Sequence, residues 1–277
     1  MQKVKSTNLY LNLFFFILLF SFFLISCQSN TTNTKKVKDQ KNKINNLSQE
    51  IDKPSIEDKL KQQIYSVLNI DKNEKIDLKI YFEQLNDDNI KDAIVTVNRL
   101  EKAIEHASIN KHTAKRAELG FLGGFNYFFF YDGKNDRLSI PVVIASSAKA
   151  PLKVEFLQLE NNSYKNISIE YKIRNSAFKN FYLLNKNELR LVFQWKMYDK
   201  IGLEEYEAYF LEMKKGNYSL VNDIYIYKGI ISNYKKNIED VYKYQPNIIN
   251  SKELYYHFFF DPNKWKYVTQ DKPKTTL

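Results

Sequence analysis

The chain has 277 residues, 44% of them hydrophobic and 15% aromatic, and a formal net charge of +10. That apolar and aromatic content excludes a disordered protein, and seven glycines and six prolines exclude a collagen-like chain or a glycine-rich solenoid. One cysteine excludes an intrachain disulfide and a cysteine-based metal cluster, and a zinc site built on the three histidines, His106, His112 and His257, would need carboxylates to complete it.

The chain begins with a short basic stretch, Met1 to Asn12, followed by an apolar run of thirteen residues from Leu13 to Ile25 (LFFFILLFSFFLI), interrupted only by Ser21. Such a run is too short to span a bilayer comfortably and has the length of the apolar core of an export signal. It ends in Leu24-Ile25-Ser26-Cys27, and Cys27 is the lone cysteine. This ending resembles the lipobox of bacterial lipoproteins. The resemblance implies that residues 1–26 are a signal peptide, that Cys27 becomes the first residue of the mature chain, and that its sulfur carries the lipid. Gln28 rather than Asp after the cysteine points, by the best-known sorting rule of that family, to the outer membrane.

Residues 27–53 read as the lipidated cysteine and a polar tether of Asn, Thr, Lys and Gln, too poor in apolar side chains to order itself. As a coil it spans roughly 25–30 Å. Its Lys35, Lys36, Lys38, Lys41 and Lys43 suit the surface of an anionic bilayer, or serve only as a solvated spacer. The signal carries Lys3 and Lys5 and no acid, so the remainder keeps eight positive charges net. Nucleic acid is the usual partner of so basic a chain, but an exported protein with lysines scattered among acids is not expected to meet it. Anionic lipid or another envelope component is the expected partner, and plain solubility is the alternative role for the charge.

Residues 54–277 read as one β-rich globular domain. Ser55 and Asp58 form a capping pair before Ile56, Leu60, Ile64 and Leu68, which predicts a helix over 56–69. Alternation then predicts strands at Asp77–Phe82 and Ala93–Val97, and Leu100, Ala103, Ile104 and Ala107 predict a helical insertion, with a second short helix ending near Leu119 before Gly120, Gly123 and Gly124. Further strands are expected at 127–131, 138–145, 152–159, 167–174, 180–184, 189–198, 206–213, 219–227, 253–260 and 265–268, and a short helix over 233–242. The expected fold class is α+β, mostly antiparallel β, with an N-terminal helix and a helical insertion after the second strand.

One segment carries possible metal chemistry, Gln84-Leu85-Asn86-Asp87-Asp88-Asn89-Ile90-Lys91-Asp92. It resembles the calcium loop of FG-GAP or VCBS-type repeats, which implies oxygen ligands from Gln84, Asn86, Asp88 and Asp92. Alternate residues of a curled loop point inward together, which suits a hard cation needing six or more oxygens at about 2.3–2.6 Å. Two departures weaken the match: Gln84 brings no carboxylate, and Asn89 stands where a glycine is expected, although asparagine tolerates the left-handed backbone. The alternative is a hairpin whose Asn and Asp side chains bond their own backbone.

No catalytic motif stands out. His257 lies in a run apolar on both faces and reads as structural; His106 and His112 are six apart and share no face. Glu205 and Glu207 would share one face of a strand, the sole candidate for a glycosidase-type carboxyl pair. Stripes such as Tyr225/Tyr227 and Tyr256/Phe258/Phe260 read as core, or as a sugar-stacking platform if exposed together. The preferred function is a membrane-anchored envelope lipoprotein acting as a binding or structural module without catalytic activity. The alternative is a secreted carboxylate-based hydrolase, with calcium as a supporting ion.

Overall fold

The computed structural model describes residues 54–109, 123–160, 164–216 and 219–273. The signal, Cys27 and the tether lie outside the described residues, as do the proposed second short helix ending near Leu119, Gly120 and His112.

Helix α1 spans Ile56–Val67, and its start is the capping pair read from the sequence: Ser55 Oγ accepts from the Asp58 amide at 3.1 Å and donates to the Asp58 carboxylate at 2.7 Å. Strands β1 (Asp77–Glu83), β2 (Asp92–Asn98), β3 (Asn126–Asp132), β4 (Arg137–Leu138) and β5 (Val142–Ile144) form the first sheet, entirely antiparallel, in the order β1-β2-β3-β4, with β5 also pairing β3. Helix α2 (Leu100–Ile109) follows β2 directly. Only Ala103 of its apolar stripe is buried; Leu100 and Ile104 are exposed.

Strand β2 is buried along its whole length, and the apolar run of β3 shows why. Ala93, Val95, Val97, Phe129 and Tyr131 pack under Leu60 and Ile64 of α1, while Ile94, Phe128 and Phe130 face the second sheet. A strand covered on both faces is apolar at consecutive positions, so the alternation typical of a half-exposed strand disappears. The single strand expected over 138–145 is broken: Pro141 has no N–H to continue the ladder, and the Ser139 hydroxyl accepts from the Phe130 amide at 3.0 Å at the interruption.

The second sheet is an eight-stranded antiparallel meander in strict chain order: β6 (Lys153–Leu157), β7 (Asn166–Ile173), β8 (Ser176–Asn185), β9 (Glu188–Asp199), β10 (Glu207–Lys214), β11 (Asp223–Ile231), β12 (Ile248–Asp261) and β13 (Lys266–Val268). The β8–β9 turn is made by Lys186 (φ 50°) and Asn187 (φ 63°), the left-handed pair that matches strand twist in a two-residue hairpin. The meander curls on itself. Beyond β6, Leu159 O accepts from the Asn222 amide at 2.6 Å, and Phe193 of β9 meets Phe258 of β12 at 5.1 Å and Tyr267 of β13 at 5.5 Å between ring centroids. The interior of the curl is a core of Leu159, Phe181, Leu183, Phe193, Tyr209, Ile224, Ile226, Tyr255, Phe260 and Tyr267.

The helix expected over 233–242 does not form. Asn237 has φ 55°, and the segment between β11 and β12 is an irregular loop whose carbonyls are claimed from outside: Lys172 Nζ, itself nearly buried, donates to Tyr242 O at 2.9 Å and Tyr244 O at 2.7 Å. With Val241 O at 3.4 Å, three carbonyls of the segment gather around one ammonium instead of entering a helix's own ladder. Strands make up 48% of the structure and the described residues hold two helices, so the α+β, mostly antiparallel β class with an N-terminal helix and a helix after the second strand stands. No helix among the described residues is long and apolar enough to cross a membrane.

Candidate functional site

Two regions gather chemistry-bearing side chains. The first is the 84–92 loop, which joins the paired strands β1 and β2, with Glu83 opposite Asp92. Asn89 takes φ 62°, so asparagine does serve where a glycine was expected. Asn86 Oδ1 accepts from the Asp88 amide at 3.0 Å, and Asp88 Oδ1 accepts from the Ile90 amide at 2.9 Å. Gln84 turns its amide nitrogen toward Asn86 O and Asn89 Oδ1, both at 3.4 Å. These are the side-chain-to-backbone bonds of the hairpin alternative.

Asp92 is different. It is completely buried, one oxygen accepts from the Gly133 amide at 3.0 Å, and the other has no hydrogen-bond partner. The Gly133 contact needs a glycine, because a Cβ there would stand 2.1 Å from Lys91 O. Burial, with Asp88 and Asp132 adding negative charge nearby, pushes the Asp92 carboxyl up to about 6 against the Gly133 hydrogen bond. The buried Asn86 Nδ2 also lacks a partner. Asp132, absent from the sequence reading of the loop, is buried too. Its carboxyl is held low by hydrogen bonds from Asn135, and Asn187 Nδ2 adds a bond at 2.9 Å, despite the burial that opposes ionisation. It lines a cleft of about 560 Å³ with Arg137, Ser139, Ile140 and Leu189.

Tested against calcium, the loop fits in part. Asn86, Asp88 and Asp92 share one turn and Asp92 has an oxygen to give, but no three His, Cys, Asp or Glu side chains among the described residues are grouped to hold a metal ion. A site here would lean on amide and backbone oxygens, which calcium accepts.

The second region is an open cleft of about 350 Å³ at the mouth of the curled sheet, lined by Phe178 of β8, Gln194, Trp195 and Lys196 of β9, Glu207 and Tyr209 of β10, and Tyr255 and Tyr256 of β12. Trp195 is its centre. Its ring meets Tyr209 at 5.7 Å and Tyr256 at 5.5 Å, both edge to face, and its indole nitrogen is buried with no partner. Tyr255 and Tyr256 are neighbours in the chain yet both line the cleft. The register explains it: Ile226 pairs Tyr256 and Tyr227 pairs Leu254, so Tyr255 is an extra residue, and a bulge turns two consecutive side chains to one side. Opposite Tyr209 on β11, Lys228 Nζ lies 4.2 Å from the Tyr255 ring centroid and 5.4 Å from that of Tyr209. Gly229 follows, and a Cβ there would meet Ile248 Cγ2 at 2.6 Å, so the chain can pass this close only as glycine. Burial and the Glu207 carboxylate raise the Tyr209 hydroxyl well above the ordinary tyrosine range.

The other sequence-read residues fall outside these regions. Glu205 precedes β10 and is exposed while Glu207 lines the cleft, so they share no strand face and form no glycosidase pair. Tyr225 and Tyr227 are outward, half-buried, with Lys214 over both rings; Tyr256, Phe258 and Phe260 point inward. His257 is half-buried, stacked on Tyr225 at 4.3 Å, with Nε2 at 2.9 Å from the fully buried Asp223, a partner the sequence did not announce. His106 stands on α2 at 5.8 Å from Phe125. Comparison with protein families, curated proteins and solved structures yields no match to this chain.

Proposed function

We propose that the protein is a lipid-anchored component of a bacterial outer membrane, held through Cys27, whose β domain is a binding module using the aromatic cleft at Trp195. The observation that carries the binding part is the composition of that cleft. Five aromatic side chains, Phe178, Trp195, Tyr209, Tyr255 and Tyr256, share one wall system with three polar ones, Gln194, Lys196 and Glu207. Apolar faces with a few placed polar groups are what a small-ligand site requires. The anchoring part is supported by Cys27 at the end of a thirteen-residue apolar run and by the polar stretch that follows it. Two or three acyl chains hold a protein stably at a bilayer where one does not, each buried CH₂ contributing about 0.8 kcal/mol. The basic residues 35–43 would lie at the membrane surface, where anionic lipid attracts them.

Cells fed radiolabelled palmitate test the anchor. The wild-type chain is expected to become labelled and to sediment with membranes, and Cys27→Ala is expected to lose the label and appear in the soluble fraction. Label retained by Cys27→Ala would refute attachment at that sulfur.

A second reading, a carboxylate-based hydrolase supported by calcium, draws on one observation: Asp92, fully buried with an unpaired oxygen and a raised pKa, beside Asp88 and Asp132. Raised carboxyls of this kind gather at catalytic and metal sites. In this reading Gln84, Asn86, Asp88 and Asp92 would hold the ion, and the adjoining 560 Å³ cleft would take the substrate.

A further inference from the structure

We propose that the Trp195 cleft binds a saccharide that carries a carboxylate, with the sugar ring against Trp195 and Tyr256 and the carboxylate on Lys228. The inference rests on the reading of the cleft as a binding site and adds the chemistry of its ligand.

The shape excludes several classes. A fatty acyl chain needs an enclosed apolar tunnel, whereas this cleft is open and its rim carries Gln194, Lys196 and Glu207. A nucleotide would find rings to stack on, but its phosphates call for arginine forks or a cluster of donors. The described arginines, Arg99, Arg137, Arg174 and Arg190, are all absent from the lining. A pyranose fits better. One face of a sugar presents C–H groups that lie flat on an aromatic ring, and its edge presents hydroxyls for side chains such as Gln194 and Glu207. The edge-to-face contacts of Trp195 with Tyr209 and Tyr256 give the lining aromatic planes at more than one angle, so a ring held by one is bounded by the next.

Charge then selects among sugars. Lys196 is engaged by Asp199 at 2.6 Å, and Glu207 lies 3.9 Å from Lys200. Lys228 makes no salt bridge with any described carboxylate; its neighbours are the π-faces of Tyr209 and Tyr255. Rings stabilise a cation without neutralising it. Lys228 does not itself line the cleft; it is half-buried against the rings of two residues that do, Tyr209 and Tyr255, with its N–H donors unclaimed by a carboxylate. A single carboxylate on the ligand would complete it with a charge-assisted hydrogen bond in a partly desolvated place, where such a bond is strong.

Calorimetric titration of the full-length chain in detergent micelles separates the possibilities. The probes are the neutral disaccharide chitobiose and two acidic relatives, N-acetylglucosaminyl-N-acetylmuramic acid and the hyaluronan disaccharide. The acidic probes are expected to bind roughly tenfold tighter than chitobiose at low salt, the preference shrinking as salt is added. Lys228→Gln keeps the aromatic floor and is expected to lower the acidic probes to the level of chitobiose with an unchanged melting temperature. Tyr256→Ala, at a half-buried position, is expected to weaken all three. Equal affinity for neutral and acidic probes, or an acidic preference that survives Lys228→Gln, would overturn the carboxylate assignment and leave the cleft as a binding site. Failure of all three probes to bind would overturn the saccharide assignment.

Discussion

Replacing Glu74 by alanine is expected to destabilise the domain by about 3–5 kcal/mol. Glu74 receives two bonds of 2.6 Å from the Arg99 guanidinium, a bidentate pair whose side chains are 9% and 11% exposed. The third Arg99 nitrogen donates to Leu68 O at 3.1 Å, at the C-terminal end of α1, where the last carbonyls of a helix have no partner of their own. Arg99 itself lies between the last residue of β2 and the first of α2, and its amide donates to Phe125 O at 2.9 Å. One side chain thus ties the N-terminal helix, the central strand and the helical insertion together. A guanidinium stays protonated with or without its carboxylate partner, so Glu74→Ala leaves an uncompensated, nearly buried cation, and the cost is that of such a charge. Urea denaturation measures it. Exchanging both partners for methionine removes the charge along with its partner and is expected to cost far less than Glu74→Ala alone. A Glu74→Ala domain within about 1 kcal/mol of wild type would contradict this account of the α1–β2 junction.

Asp92→Asn is expected to stabilise the domain at pH 8 and to do nothing near pH 3. Folding raises the Asp92 carboxyl from an ordinary 3.8 to about 6. The folded state therefore binds this proton more tightly than the unfolded state. The associated stability is complete below the unfolded value and is lost as pH rises through about 6, so the ionised, buried carboxylate is a burden at neutral and alkaline pH. At about 1.4 kcal/mol per pH unit the shift corresponds to roughly 3 kcal/mol. Because asparagine keeps an oxygen for the Gly133 amide, most of that is expected as a gain, or several degrees in melting temperature at pH 8. The measurement also decides the cation question, since a cation at the unpaired Asp92 oxygen would relieve the same burden. With calcium bound, millimolar calcium raises the wild-type melting temperature at pH 8, and Asp92→Asn and Asp88→Ala abolish the rise. A melting curve indifferent to calcium, together with a stabilised Asp92→Asn, retires the metal and leaves a buried carboxylate.

What could be read from the sequence was local. The α1 cap is chemistry between Ser55 and Asp58, three residues apart, and was legible because nothing distant decides it. The errors arose where distant parts of the chain intervene. The 233–242 segment carries apolar residues at helical spacing, but Lys172 of β7 and Gly202 O, which accepts from Asn237 N at 3.0 Å, hold it open. The cleft was invisible for a related reason. Period-two reasoning places Phe193 and Trp195 on one face, yet it must separate Tyr255 from Tyr256, and only the bulge at Tyr255 reunites them. Asp132 and Lys228 lie 40 and 27 residues from Asp92 and Tyr255, the partners that give them meaning, close to them in space but not in sequence.

Where this domain is held is tested most directly by the mass of the mature N-terminal peptide. Protein recovered from the membrane fraction and digested with trypsin is expected to yield a first peptide beginning at Cys27 whose mass exceeds that of its amino acids by the hydrocarbon of a diacylglyceryl group. A first peptide containing residues upstream of Cys27, or beginning there with a free thiol, would contradict it.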